Sequence, residues 1–200
     1  MWADALPLPH HAEPGDGELM GQVARGDRDA FARLVDRHHG PLVAYLARLT
    51  GALDRGEDLA QEAFLRLYRA APNYRDEGRL PAYLFRIATN LLRSEERHRR
   101  LRQRLAPAMT LFFATPSEPT VPQRLLADER QRALESALAA LPVKLRAPLV
   151  LCEIDEYSID AAAALLGCRP GTIKSRLFRA RQRLREHLGP FSSTSGGTTP

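Results

Sequence analysis

Basic side chains crowd one stretch near the end of the chain. Six Lys or Arg fall in the run KSRLFRARQRLR between Lys174 and Arg185. Ammonium and guanidinium groups neutralise phosphates, and arginine and hydroxyl side chains also hydrogen-bond to the edges of bases. In the same stretch Ile173, Leu177 and Ala180 recur every three or four residues, which predicts a helix with an apolar stripe. The basic residues lie mainly opposite that stripe, so the pattern fits either a helix that binds nucleic acid or a solvated basic face on a helical hairpin.

The residues just upstream predict a shorter helix packed against this one. Ser158 suits a helix N-cap, the small run AAAA follows, and Gly167 suits the helix end. Pro170 suits the first turn of the basic helix. Two helices joined by a short turn containing glycine make a helix-turn-helix, whose second helix enters the major groove with its N-terminal residues against base edges.

The helix-turn-helix interpretation selects a set of DNA-binding residues. Thr172, Ser175 and Arg176 lie where base edges would be, and later arginines lie nearer the phosphates. The full candidate set is Arg169, Thr172, Lys174, Ser175, Arg176, Arg179 and Arg183.

The composition favours a helical protein with an acidic partner. The 200 residues carry a formal net charge of +5, and 44% are hydrophobic but only 6% aromatic, which predicts helical cores of Leu and Ala. Cys152 and Cys168 form no CxxC pair, which fits a reducing cytoplasm. There is no signal-peptide pattern at the N-terminus, and no apolar run approaches the ~18–20 residues that span a bilayer, so we expect no membrane insertion.

The chain divides into two helical domains in an all-α fold. We expect a disordered arm at 1–16, a first domain at 17–104, a flexible linker rich in proline at 105–128, a second domain at 129–189 and a disordered tail at 190–200. The dipeptides Gly26-Asp27, Gly40-Pro41 and Pro72-Asn73 should break the helices of the first domain. In the second, Pro142 should close a helix and Pro148 should lie in or near the first turn of the next.

Three segments resemble the extracytoplasmic function (ECF) group of bacterial sigma factors. The segment YSIDAAAALLGCRPGTIKSRLFRARQRLRE is similar to the region 4 helix-turn-helix of that group. The segment EDLAQEAFLRLYRA at 57–70 resembles a region 2 helix, and YLFRIATNLLRSEERHRR resembles the helix after it. The resemblance covers about residues 17–188. It implies a transcription initiation factor that binds core RNA polymerase and directs it to promoters.

The resemblance also implies a role for each half. Region 2 would dock on the clamp helices of the β′ subunit and open the −10 element, and region 4 would read the −35 element and touch the β flap. The polymerase-binding residues would be Asp58, Gln61, Glu62, Leu65 and Arg66, which spacing places on the face away from Leu59, Ala63 and Leu67. The −10 residues would be Tyr83, Asn90, Arg93, Arg97, Arg99 and Arg100, which could hold an unstacked base and a displaced strand.

Four positions depart from the family pattern. Leu80 and Tyr83 stand where Phe and Trp are common, Ser94 where Asp is common, and Ala162 where Ile is frequent. The first three affect the −10 contact, and the fourth affects local packing in the helix-turn-helix. An anti-sigma factor that wedges between the halves is a further partner implied by the family.

Other kinds of function have less support in the sequence. The histidine pairs His10-His11 and His38-His39 have no further ligands at metal spacing, and no catalytic motif is present, so we expect no metal, no cofactor and no enzyme activity. The alternative function is a freestanding helix-turn-helix regulator, although the region 2-like half would then have no purpose. An RNA-binding protein would need more aromatic residues for stacking.

Overall fold

The computed structural model describes residues 14–109 and 129–192, and these are helical throughout, with turns but no strands. The first half, residues 14–109, contains α1 (Asp16–Ala24), α2 (Arg28–Thr50), α3 (Leu53–Ala70), a short 3-10 turn (Ala71–Asn73) and α4 (Leu80–Met109). The second half, residues 129–192, contains α5 (Glu129–Ala140), α6 (Val143–Leu149), a π-helical segment (Val150–Ile154), α7 (Ile159–Leu166) and α8 (Pro170–Ser192).

The predicted all-α fold is confirmed for the described residues, and several helix ends lie where the sequence places them. Asp27 caps α2, its carboxylate accepting hydrogen bonds from the N–H groups of Asp29 and Ala30 at 2.9 and 3.0 Å. The helices α1 and α3 end before Gly26 and Pro72, as expected. Most of the predicted arm and linker, and most of the predicted tail, lie outside the described residues. Helix α4 continues to Met109 and α8 to Ser192, past the residues at which the linker and the tail were expected to begin.

Two helix boundaries predicted from proline are wrong. Helix α2 runs through Gly40-Pro41 without a break, because Gly40 has no Cβ to clash with the proline ring and buried leucines on both sides, such as Leu34 and Leu42, anchor the helix. Pro148 lies near the end of α6 rather than in its first turn. At that position the proline has no N–H to donate to the carbonyl of Lys144, so one helical hydrogen bond is missing. Lys144 is exposed, so water can hydrogen-bond to its carbonyl instead.

The core of the first half forms where α2, α3 and α4 pack together. The apolar stripe of α3 is buried as expected at Leu59, Ala63 and Leu67. Gly56 allows α3 to approach α2 closely, because a Cβ there would lie 2.8 Å from the backbone nitrogen of Ala47. On the side of α4 that faces this core, the residues buried most deeply are Leu80, Leu84 and Ala88.

The two halves contact each other along a surface that we call the seam, formed mainly by α4 of the first half against α6 and α7 of the second. The buried residues of both halves form one connected cluster. Two polar contacts also cross the seam: the Arg48 guanidinium lies 2.7 Å from the Asp155 carboxylate, and the Val143 N–H donates to the Glu96 carboxylate at 3.2 Å. The helices of the described residues include none long and apolar enough to cross a membrane.

Candidate nucleic-acid interface

Helices α7 and α8 form the helix-turn-helix that the sequence predicts. The Ser158 hydroxyl accepts a hydrogen bond from the Ala161 N–H at 3.1 Å and so caps α7. Gly167 ends α7 with a left-handed φ of 61°, a conformation that a side chain would strain. Pro170 then begins α8. The α8 stripe at Ile173, Leu177 and Ala180 is buried, so this helix is held firmly by its apolar side.

The candidate DNA-binding residues of α8 lie on its outer surface. Lys174, Ser175, Arg179 and Arg183 are exposed, as is Arg169 just before the helix, while Thr172 and Arg176 are half-buried. Phe178 lies three residues after Ser175 on the same side of α8 and is 70% exposed. Sequence reasoning missed Phe178, although its position outside the apolar stripe was a usable signal.

A groove between α6 and α8 adds another cation to this surface. Its volume is about 270 Å³, and Lys144, Arg179 and Arg183 contribute its positive charge. Lys144 was not among the predicted residues, because it lies about thirty residues upstream on a different helix and only the fold brings it to α8. Three cations beside one groove suit the phosphates that flank a base-reading helix.

The polymerase-binding residues predicted for α3 lie on its outer face. Asp58, Gln61, Leu65 and Arg66 are exposed and Glu62 is half-buried. Leu65 is 43% exposed, and the Glu62–Arg66 ion pair of 2.8 Å lies beside it on the helix. Tyr68, three residues further along α3, is exposed as well, so the two side chains form a small apolar patch among charged residues, which suits a surface that binds another protein.

The −10 residues predicted for α4 divide into two groups. Tyr83 packs against Tyr74 with ring centroids 5.4 Å apart, and the Arg86 guanidinium carbon lies 5.4 Å from the centre of the Tyr83 ring. Burial, together with Asp76, raises the pKa of Tyr74 to about 12. One turn beyond Arg86, Asn90 is exposed and accepts a hydrogen bond from Arg93 at 3.4 Å.

The second group lies further along α4. Arg97, Arg99 and Arg100 are exposed, and Arg100 forms an ion pair of 3.0 Å with Glu96. Together with the first group, Arg97 and Arg100 make a strip that begins with an aromatic ring and continues with positive charge, whereas Arg99 lies on the opposite side of α4. Such a strip can stack a base and follow a phosphate backbone.

The seam brings a predicted −10 residue and a predicted −35 residue together. The Arg176 guanidinium donates to the Cys168 sulfur at 3.8 Å and lies close enough to Arg93 to affect it. Burial, and then the Arg176 charge, lower the pKa of Arg93. The Nε and Nη2 atoms of Arg93 are buried without a hydrogen-bond partner, and Gly167 in the helix-turn-helix lies against the Arg86 side chain. In this arrangement each half therefore covers part of the other's candidate DNA-binding surface.

Neither histidines nor cysteines assemble into a metal site within residues 14–109 and 129–192. His38 hydrogen-bonds to Asp16 at 2.9 Å, and His39 stacks on Phe64 with centroids 6.3 Å apart. Cys152 and Cys168 are free and half-buried, and burial raises the pKa of the Cys152 thiol. His10-His11 lies outside the described residues.

Comparisons with known proteins agree with this architecture. The family "Sigma-70 region 2" matches residues 34–104, and "Sigma-70, region 4" matches residues 131–184. The ECF RNA polymerase sigma factor SigE of Mycolicibacterium smegmatis is 37% identical over 188 residues, which are 90% of this chain and 72% of that protein. The ECF RNA polymerase sigma factor SigW of Bacillus subtilis is 31% identical over 174 residues, or 84% and 93% of the two chains.

Two solved structures with a similar fold are complexes with a second protein. The sigma factor RpoE in complex with the anti-sigma factor NepR from Bartonella quintana has a TM-score of 0.56 and 28% identity, covering 80% of this chain and 96% of that one. CnrH in complex with the cytosolic domain of CnrY has a TM-score of 0.57 and 29% identity, covering 88% and 97%. The two sigma regions, their order along the chain and the identity to curated relatives together show that this protein belongs to the ECF group of sigma-70 factors, non-catalytic transcription initiation factors that direct RNA polymerase to promoters.

Proposed function

We propose that three helices divide the work of promoter recognition in this protein. The outer face of α3 binds the clamp helices of the polymerase β′ subunit, α4 reads the −10 element, and α8 reads the −35 element while its half touches the β flap. The observation that carries the proposal is the capped helix-turn-helix, whose exposed face holds Ser175, Phe178 and Arg179. The serine hydroxyl suits a base edge, the phenyl ring suits a thymine methyl, and the guanidinium suits a phosphate.

Run-off transcription with purified core RNA polymerase tests the function as a whole. On fragments of the genome that encodes this chain, we expect transcripts with defined start sites only when the protein is added. A protein that binds DNA but neither binds core polymerase nor yields transcripts would instead be a freestanding regulator, the second candidate. The promoters recovered in this way provide the DNA for the residue-level experiments.

The assignment of α3 can be tested without DNA. Leu65→Asp places a charge in the proposed polymerase-binding surface, and we expect it to weaken binding to core polymerase at least tenfold. Leu53→Asp is the matched control, since Leu53 is also an exposed leucine of α3 but lies at its first residue, outside the proposed face. Equal affinity of the two variants for core polymerase would contradict the assignment.

We further propose that the protein works in the cytoplasm. The arrangement with a closed seam is its inactive form, and an anti-sigma factor holds it closed. In this form two nitrogens of the Arg93 guanidinium are buried, Arg176 is half-buried, and the two charges lie close enough to influence each other, so neither side chain is fully exposed to DNA. Separation of the halves exposes both. The test is a co-purification with each candidate anti-sigma factor, which should bind the chain and block run-off transcription. Binding without a block would contradict the proposal.

A further inference from the structure

A second pocket lies in the seam, and neither Arg93 nor Arg176 lines it. Its volume is about 440 Å³, within the usual range for small-molecule sites. The first half lines it with Thr50, with Arg55 and with one side of α4 from Leu92 to Arg102, and the second half lines it with Ala139, Val143 and Arg146. We call this cavity the seam pocket. Because both halves form its walls, it exists only while the seam is closed.

The charges of the seam pocket are out of balance. Four arginines, Arg55, Arg99, Arg102 and Arg146, face two glutamates, Glu95 and Glu96, and His98 adds a group that protonation makes positive. Both glutamates already have partners. Glu95 lies 2.5 Å from Arg55, and Glu96 lies 3.0 Å from Arg100 and accepts the Val143 N–H. Within the described residues Arg99 and Arg102 have no ion pair, so the pocket holds guanidinium groups without a counter-charge.

Arg146 adds to this imbalance from the other half. Its side chain is only 8% exposed, its Nη1 donates to the carbonyls of Leu138 and Ala139 at 3.3 and 3.1 Å, and its Nε has no acceptor. Burial lowers the pKa of Arg146, Glu96 opposes that shift, and the nearby Arg99 adds to it. Closing the seam therefore brings a cation of α4 toward a buried cation of α6, which an anion between them would relieve.

We propose that the seam pocket binds a phosphate-bearing small molecule of about nucleotide size, and that this ligand holds the two halves together. Several guanidinium groups that converge from two sides suit the oxygens of a phosphate chain. The apolar side chains of Leu92, Ala139 and Val143 line the same pocket and suit a flat apolar group at the other end of the ligand. A ligand that contacts both halves binds only the closed arrangement and so raises its population.

Binding measurements on the full chain test the proposal without polymerase. Tripolyphosphate, ATP and promoter duplex DNA are titrated separately at a fixed salt concentration near 150 mM, with calorimetry for affinity and fluorescence energy transfer between labels on the two halves for closure. We expect one saturable site for tripolyphosphate or ATP, with the labels moving together as the ligand is added. Tighter binding of ATP than of tripolyphosphate identifies a nucleotide site, and equal affinity identifies a site for the phosphate chain alone.

Two double variants separate this pocket from general attraction to positive charge. Arg99→Ala/Arg102→Ala removes two exposed pocket cations, and we expect it to weaken anion binding at least tenfold. Arg33→Ala/Arg69→Ala removes two exposed cations that do not line the pocket and should bind as the unmodified chain does. Equal weakening in both variants overturns the proposal. Binding of duplex DNA alone, or anion binding with no effect on the distance between the labels, overturns it as well.

Discussion

At the scale of single residues, Gly56 allows α3 to pack closely against α2. A Cβ there would lie 2.8 Å from the Ala47 nitrogen and 3.1 Å from the Val43 oxygen, both backbone atoms that cannot move without shifting α2. We expect Gly56→Ala to lower the free energy of unfolding by about 1–3 kcal/mol, as overpacking does. Urea denaturation followed by circular dichroism measures the change.

Gly21→Ala is the matched control for this prediction. The added Cβ would meet only the end of the Arg25 side chain at 3.7 Å, an ordinary contact, within helix α1. Alanine is the better helix former, so this variant should unfold at the same or a slightly higher urea concentration. A loss of stability as large as that of Gly56→Ala would show that the close approach of α2 and α3 is not the cause.

Two tyrosines of the first half predict how its stability depends on alkaline pH. The folded-state pKa of Tyr74 is about 12 against an ordinary value of 10.0, and burial raises the pKa of Tyr45 as well. The folded chain therefore keeps phenol protons that the unfolded chain has lost, so stability falls as pH rises from about 10 toward 12. Unfolding in urea at several pH values measures this slope.

The double variant Tyr45→Phe/Tyr74→Phe should flatten that slope, since neither ring can then ionise. Thr89, the hydrogen-bond partner of Tyr45, keeps its bond of 2.8 Å to the Phe85 carbonyl, so the substitution leaves no orphaned hydroxyl. An unchanged slope in the double variant would assign the alkaline loss of stability to other groups.

At the scale of helices, α8 predicts how DNA affinity depends on salt. Arg179 and Arg183 lie beside the groove that Lys144 also lines, where they suit phosphates. We expect Arg179→Ala and Arg183→Ala each to weaken binding to the −35 element and to reduce the slope of log affinity against log salt by about 1. Fluorescence anisotropy with a labelled duplex at several salt concentrations measures the slope.

Arg181→Ala controls for loss of charge on the same helix. Arg181 lies 2.5 Å from Glu153 and so faces the π-helical segment rather than the groove. Its removal should leave the salt slope nearly unchanged, because a side chain already paired with a carboxylate releases few counterions from DNA. A reduction equal to that of the other two variants would mean that α8 attracts DNA only through its total charge.

Helices and their ends could be predicted from the sequence where local chemistry decides them. Ser158, Gly167 and Pro170 form a cap, a left-handed end and a helix start, and each acts within a few residues. Pro41 and Pro148 were misread because tertiary packing holds their helices across the missing hydrogen bond. Lys144 and the seam pocket could not be found in the same way, since the residues involved come together only when separate helices pack.

At the scale of the whole molecule, the seam contains a favourable ion pair, Arg48–Asp155, and a cation, Arg93, with buried atoms that lack partners. Arg48→Ala would leave the Asp155 carboxylate, whose side chain is only 10% exposed, without its cation, and opening the seam would hydrate it. We therefore expect this variant to separate the halves. Arg93→Met replaces a guanidinium that has buried atoms without partners, so it should favour closure. Energy transfer between labels on the two halves measures both shifts.

The ion pair between Arg181 and Glu153 supplies the control for these seam variants. Both residues are exposed and belong to the second half, so Arg181→Ala should leave the distance between the labels unchanged. Opening by Arg48→Ala and closure by Arg93→Met would support the claim that the ion pair favours the closed seam and the Arg93 cation opposes it. A shift of both variants in the same direction would contradict it.

The electrostatic influence of Arg176 on Arg93 also constrains how a protein of this kind can evolve. Under the proposed roles, one side chain reads each promoter element, and the two charges also influence each other across the seam. A substitution at Arg176 that retunes the preferred promoter would at the same time change how readily the halves part. Lineages that acquire a new target sequence would then need a second, compensating substitution on α4 to keep regulation intact. Promoter preference and inhibition are, in this sense, inherited together.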